Sequence, residues 1–457
     1  MSQPAPERSV LEGPVLGTFV SYAVPSLIGL VAISTASIVD GMFVSRFVGA
    51  DALAAVNLLL PYFTLLFGVA LMLAMGGSVR AGHSLGAGDV EAASAMFSKS
   101  LIAVTLISSC AAIVSHLHDE VLFRLLGAPS SLFPVMREYF RVISPALVVQ
   151  LTTLVVYYFV RLDGRPVLAT SAVVSGALVN IALNAWFVGH WGWGVRGAAY
   201  ATALAQLLQL AVLLSHFRSG KARLRFRARH ESWRDLRGSA LSGASELVNE
   251  VSVGVVALLL NWLMVSRVGV HGVAAFTVVN YATFASLMVY YGAADALHLV
   301  VSQNLGAGNV QRARAFLRCA LLCVAAVGVL LAGSLLTFGP SWVRLFVTGA
   351  RREVFEQALA LLHVMWPLLL VNGANVVFTV YLAASHRPAA ASLLALSRSL
   401  VLPAAFLLGI AFLFPSRPFV LALPLAEGVT FLFGIALLMR RSAAPALGAS
   451  DAGVAVS

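Results

Sequence analysis

Five carboxylates lie inside long apolar stretches: Asp40, Glu246, Glu250, Asp295 and Glu427. A charge in hydrocarbon is expensive, so a carboxylate kept there is by default a functional candidate. In a low-dielectric cavity it can exchange a proton near neutral pH or hold a cation. Asp40 lies in the outer half of the first stretch, beyond the helix-bending Pro25. Its plainer reading is a residue capping the outer loop. Glu246 and Glu250 share a helix face at i, i+4, where two like charges repel unless one is protonated. That suits a proton carrier or a cationic-drug site, although Glu246 could simply reach interfacial water. Asp295 and His298, at i, i+3, form either a pair that titrates near physiological pH or a satisfied structural pair. Glu427 reads equally as structural or functional.

Uncharged polar groups come next. Asn180 and Asn184 stand one turn apart in "NIALN". Amides coordinate cations and bond to drugs but carry no proton, and in membranes they also join helices. A Na⁺ site at Asp40, Asn180 and Asn184 is therefore open. Tyr62, Phe63, Phe67, Phe284, Met288, Tyr290 and Tyr291 could line a drug cavity through stacking and cation–π contact, against the alternative of ordinary packing. Trp191 and Trp193 fit an aromatic belt. Cys110, Cys319 and Cys323 sit in apolar runs and read as packing, not as a disulfide framework or metal site.

The elements that hold these residues follow from composition. The 457 residues are 60% hydrophobic and 11% charged, with mean hydropathy +0.91. A soluble domain carries about 25% charged residues, so the solvent of this chain is largely lipid. Only helices or a closed barrel cross lipid, and runs such as "LLLPYFTLLFGVALMLA" lack barrel alternation. Stretches of about 20 residues or more give twelve expected spans: 15–45, 53–80, 98–118, 132–160, 165–189, 194–217, 239–266, 273–303, 313–338, 355–385, 390–414 and 418–440. The N-terminus lacks the pattern of a signal peptide.

Basic residues set the expected orientation. The middle loop holds Arg218, Lys221, Arg223, Arg225, Arg227, Arg229, Arg234 and Arg237, and reads as a solvated basic loop. Arg161, Arg165, Arg312, Arg314, Arg318, Arg387, Arg440 and Arg441 fall on the same side, which makes both termini cytoplasmic. The net charge of +11 is then a topology signal, and with no basic soluble domain nucleic acid is not expected as a partner.

A short turn occurs twice, as "SLGAGD" at 84–89 and "NLGAGN" at 304–309. Gly86 and Gly306 are 220 residues apart, and the same offset aligns Val48-Gly49 with Val268-Gly269 and Ala93 with Ala313. At an offset of 222, Pro145 meets Pro367 and Arg165-Pro166 meets Arg387-Pro388. The halves are copies with six spans each, so they share one orientation and are related by an axis along the membrane normal. Secondary transporters use this layout, with the substrate between the halves near the midplane.

Four segments resemble the MATE (multidrug and toxic compound extrusion) family: "VDGMFVSRFVGADALAAVNLLLP" (39–61), "GALVNIALNAWFVGHWGWGVRGAAYAT" (176–202), "SELVNEVSVGVVALLLN" (245–261) and "VSQNLGAGNVQRARAF" (301–316). The resemblance covers essentially the whole chain in order. It implies a twelve-helix antiporter whose two lobes rock to expel organic, often cationic, compounds against H⁺ or Na⁺. By resemblance, Asp40 falls on the N-lobe carboxylate tied to cation coupling, and Glu250 on a C-lobe glutamate used by some branches. The chain departs from the pattern at Asn184, where the family often has Asp, and at Asn372, which with Asn375 stands where the sodium-coupled branch has Asp. The family usually has uncharged residues at Asp295 and His298, and Glu427 matches no family residue.

The expectation is an all-α integral membrane protein of about twelve transmembrane helices in two six-helix lobes. It comprises an N-terminal tail (1–14), an N-lobe (15–217), a basic linker (218–238), a C-lobe (239–440) and a C-terminal tail (441–457). The expected function is cation-coupled efflux, H⁺ preferred over Na⁺ because the amide replacements leave Asp40 and Glu250 titratable. The expected setting is the bacterial inner membrane, as a monomer with a small organic substrate, lipid around it and no cofactor beyond the coupling ion. A lipid-linked precursor flippase is the alternative. It would need a large cationic cavity, and the spans contain few Arg or Lys, with Arg80, Arg141 and Arg398 the nearest candidates. An intramembrane enzyme would need a nucleophile–base pair or a metal motif, and no HExxH occurs.

Overall fold

Apolar helices account for nearly the whole chain. The computed structural model describes residues 10–220, 222–227, 233–267, 270–346, 352–414 and 417–439. The expected C-terminal tail, most of the N-terminal tail, Lys221, Arg229, Arg440, Arg441 and Val268-Gly269 lie outside the described residues. The long helices are α1 (Val15–Phe43), α2 (Ala50–Gly86), α3 (Val90–Leu117), α4 (Phe133–Leu162), α5 (Pro166–Asn184), α6 (Gly194–Arg218), α7 (Arg234–Arg267), α8 (Val270–Gly306), α9 (Val310–Phe346), α10 (Arg352–Ala384), α11 (Pro388–Leu413) and α12 (Ala422–Met439). Among the described residues, eleven segments are long and apolar enough to cross a membrane. The remaining helix, α8, is 37 residues long and packs between them. Leu258, Leu322 and Leu330 stay more than 70% exposed on the outer face, where hydrocarbon is their natural solvent.

Several helices outrun the expected spans. The third begins at Val90, not at 98, because Asp89 caps it and accepts the Ala92 N–H at 2.9 Å. The seventh begins at Arg234, which shortens the linker. That linker is not a freely solvated loop over 222–227. Leu224 is fully buried, and the backbone N–H groups of Arg225 and Arg227 donate to Ser94 and Ser98 of α3 at 3.1 and 2.7 Å. Arg223 reaches Asp163, which His216 also holds at 2.7 Å.

The two halves pack as copies. In the first, α1 packs on α5, α2 on α3 and α4, α3 on α4, and α6 on α4 and α5. All of these pairings recur six helices later, as α7 on α11, α8 on α9 and α10, α9 on α10, and α12 on α10 and α11. Between the lobes, α2 packs on α7, α8 on α1, and α2 on α8. The last pair maps onto itself, so α2 and α8 straddle the pseudo-twofold axis.

The repeated turn acts on that axis. A Cβ on Gly86 would collide with the carbonyl of Gln303, and a Cβ on Gly306 with the carbonyl of His83. Ser78 Oγ meets His298 Nε2 at 3.2 Å, again a pair 220 residues apart. The second glycine of each turn, Gly88 or Gly308, takes φ of 84° or 76°, a left-handed turn after the helix. So one glycine of each LGAG lets the lobes touch backbone to backbone, and the other lets the chain turn away.

This contact closes one end, here named the loop end because it carries the middle linker. The largest hydrophobic cluster, on this side, mixes both lobes. Two further clusters, toward the far end, belong to one lobe each: Val44, Leu59 and Phe140 in the N-lobe, Leu263, Leu362 and Phe419 in the C-lobe. The molecule is closed at the loop end and open toward the far end. His83 and His386 stack across the seal with ring centroids 3.8 Å apart, and His83 Nε2 lies 2.9 Å from the Ala384 carbonyl oxygen.

This seal is testable in two ways. Gly86→Val should leave helical content intact but lengthen the distance between spin labels on the two turns, and an unchanged distance would count against the reciprocal contact as the closure. Burial and the Arg80 guanidinium push the His386 imidazole in the loop below its ordinary value. The closed seal therefore favours the neutral ring: the stack is complete above the ordinary histidine range and weakens as pH falls below it. Label distances should lengthen on acidification in wild type and lose that dependence in His386→Phe.

Candidate functional site

Two connected cavities occupy the opening. One, of about 480 Å³, lies in the far-end half of the N-lobe and is lined by Asp40, Asn57, Phe63, Asn180 and Thr202. The other, of about 380 Å³, lies between the lobes over the seal and is lined by Glu246, Glu250, Asp295, Met288, Tyr291 and Arg398. Phe67, Gln150, Gln206, Gln209 and Glu250 line both. Either is large enough for a small organic molecule.

Asp40 stands one turn before a π-helical segment, Val44–Val48, and Asn184 immediately before another, Ala185–His190. Such π-turns shift the register of side chains and are frequent at functional sites. Here they accompany a short polar chain. Asn184 Nδ2 donates to Asp40 Oδ1 at 2.8 Å and to the Asn180 carbonyl oxygen at 3.1 Å. Asn180 Nδ2 donates to Thr202 Oγ1 at 3.2 Å. Asn184 is fully buried and its Oδ1 has no partner. The three residues expected to act together do meet, and Asp40 faces the cavity.

The C-lobe treats its polar residues differently. Arg398 lies in a third π-helical segment, Ser397–Val401. Its Nε donates to Glu427 Oε1 at 3.3 Å. Asn372 Nδ2 donates to Oε1 and Asn375 Nδ2 to Oε2, both at 2.6 Å. Glu427 is thus held by a guanidinium and two amides. Asn372, Asn375 and Glu427 line neither cavity, so the two asparagines bind a neighbouring carboxylate and are not open to a mobile cation.

Glu246, Glu250 and Asp295 share one cavity. Neither glutamate has a hydrogen bond or ion pair among the described residues, so both carboxylates are free for a guest. Asp295 is taken: it pairs with Arg161 of α4 across the lobes. His298 is fully buried, bonds to Ser78 and keeps Nδ1 3.9 Å from Asp295 Oδ1, so it stands behind the cavity wall. Of the aromatic candidates, Met288 and Tyr291 line the inter-lobe cavity and Phe63 the N-lobe one. Tyr62 instead packs in the N-lobe core, bonding to Ser115 at 2.9 Å. Tyr290 is a core residue whose hydroxyl donates to the Leu369 carbonyl at 2.7 Å. Phe284 is 43% exposed and lines neither cavity.

Sequence reasoning passes over the basic side chains. By charge Arg161 counts as a loop-side residue, yet its side chain is fully buried between the lobes. Lys99 is fully buried as well and lies 3.4 Å from Asp235 of α7. For Lys99 the available signal is its position, a lone Lys inside an apolar helix, where an acidic partner is required; Arg161, in the last turn of α4, gives none.

Most of the chain matches known proteins. The MatE family model matches residues 25–186 and 251–407. The chain belongs to the MatE family. A "Probable multidrug resistance protein YoeA" of Bacillus subtilis is 25% identical over 365 residues, 78% of either chain. A "FAD transporter" of Shewanella oneidensis is 25% identical over 410 residues, covering 86% of this chain and 88% of its own length. Among solved structures, an outward-facing multidrug resistance MATE family transporter of the MOP superfamily superimposes with a TM-score of 0.85 at 22% identity, over 96% of this chain and 97% of that one. The all-α membrane fold expected from the sequence, and the family expected from the resemblance, are those observed, and the protein is a multi-pass membrane transporter, not an enzyme.

In this MatE protein the Arg398–Glu427 pair has a testable cost. Removing one partner strands a buried charge, which costs about 3–5 kcal/mol, whereas an apolar pair of similar volume is close to neutral. Arg398→Gln should lower the thermal unfolding temperature in detergent, and the double variant R398M/E427L should recover most of the loss.

Proposed function

We propose that the chain exports organic cations by antiport with protons, alternating between the far-end-open arrangement and one open at the loop end. The observation that carries this reading is Asp40. It lines the cavity facing the far end, and its one described hydrogen bond comes from an amide N–H. That partner suits a carboxylate that gains and loses a proton. A Na⁺ site would need several oxygens turned to the same point. In the C-lobe, Glu427 is closed to such exchange, since it is already paired with Arg398.

The inter-lobe cavity supports the substrate class. Three carboxylates line it against one guanidinium, and that guanidinium is itself paired. Tyr291, Met288 and Phe67 add polarisable surface for flat or bulky cations. This lining is the reverse of what a pyrophosphate-bearing lipid or an anionic nucleotide would need, so neither a flippase nor an exporter like the FAD transporter is favoured. The relatives named for multidrug resistance and multidrug export are in keeping with the cation reading. The positive-inside bias makes the loop end cytoplasmic and the far end external, in a bacterial inner membrane. The proton then enters from outside at Asp40, and its binding must favour the loop-end-open arrangement to drive export.

Proteoliposomes with an imposed pH gradient, and separately a Na⁺ gradient, test this. Ethidium should be carried under the pH gradient by wild type. Asp40→Asn should abolish gradient-driven flux, and Glu250→Gln should weaken it by raising KM. Flux driven by Na⁺ alone would overturn the ion assignment.

A further inference from the structure

Arg161 lies one residue from the end of α4 and has no exposed surface. Its anchors belong to the N-lobe. One Nη donates to Ser26 of α1, and the guanidinium lies over the Tyr157 ring, 5.2 Å from its centroid. The other Nη crosses to the C-lobe and bonds to Asp295 of α8. Next to it Gln303 Nε2, also of α8, donates to the Leu162 carbonyl at 2.9 Å. Both crossings lie between the cavity floor and the glycine seal.

Asp295 therefore has two faces. It lines the inter-lobe cavity with a partly exposed side chain; its Oδ2 is held by a residue of the other lobe, and its Oδ1 is buried without a hydrogen bond, 3.9 Å from His298 Nδ1. When the loop end opens, α4 and α8 part there. Arg161 leaves with Ser26 and Tyr157, and Asp295 leaves with α8. His298 cannot replace Arg161 in one state only, because it rides on the same helix as Asp295. The carboxylate is thus neutralised when the cavity faces the far end and bare when it faces the loop end. A net exporter of cations gains from that asymmetry, because a ligand shifts or follows a conformational equilibrium only through its differential affinity for the two states.

We propose that Arg161 is a tethered competitor for the organic cation, displacing it from Asp295 as the loop end closes and so driving release at the far end. The proposal rests on the organic-cation reading above. A tethered group acts at an effective concentration of roughly millimolar or higher, enough to displace a guest of ordinary affinity.

Ethidium binding to the purified full-length protein in detergent, followed by its fluorescence, is the test, with flux in proteoliposomes measured alongside. R161Q should bind ethidium about tenfold more tightly than wild type and turn over more slowly, lowering KM and kcat together. The gain should vanish in R161Q/D295N, which should bind no better than D295N. Unchanged binding in R161Q, or a gain that survives D295N, would overturn the competition. Should R161Q fail to fold, R161M decides by the same criterion, since it also removes the competing charge while keeping the apolar stem. Failure of the exporter reading is distinguishable: wild type itself would then carry no ethidium under either gradient.

Discussion

Everything in this transporter turns on a backbone contact at the pseudo-twofold axis. Two copies of one turn meet there, Gly86 against the carbonyl of Gln303 and Gly306 against that of His83. Because the contact is made by backbone, it requires glycine and tolerates nothing larger. Because it is reciprocal, a single sequence solution serves both lobes, as in a twofold dimer interface. Closing the lobes at this end leaves them apart at the other, where the cavities lined by Asp40, Glu246, Glu250 and Asp295 open.

Charge then divides the labour between lobes that are otherwise copies. Asp40 has one amide partner and faces the cavity. Glu427 has a guanidinium and two amides and faces none. A buried ion pair adds little net stability but is expensive to break, so Arg398–Glu427 acts as a fixed strut joining α10, α11 and α12. Arg161–Asp295 and Lys99–Asp235 are different, because they span the lobes. In a low-dielectric interior such pairs tie the two lobes together at this end.

The polar residues also depend on irregular helix. Asp40, Asn184 and Arg398 each lie beside or within a π-helical segment. An extra residue in one turn rotates the downstream side chains and frees backbone groups that only a protein-lined interior can accept. Lipid-facing backbone has no partner for such groups, and the π-segments accordingly occur where helices line the cavity or end beside it.

The sequence by itself determined the solvent, the helices and the duplication, because hydropathy and an offset of 220 residues are properties of the chain alone. It also singled out Asp40, Glu250 and the asparagine pair, since lone polar groups in apolar runs need no partner to be noticed. It could not say which charges pair. Arg161 looks like one more loop arginine, and Glu427 looks isolated, because their partners lie 134 and 29 residues away on other helices. Tyr62 and Phe284 resemble cavity residues because an aromatic side chain in a span reads alike whether it faces a cavity, a core or lipid. Those distinctions are set by helix rotation and by the distance between lobes. Only the tertiary structure decided them, since burial and electrostatic pairing are properties of neighbours in space and not of position in the chain.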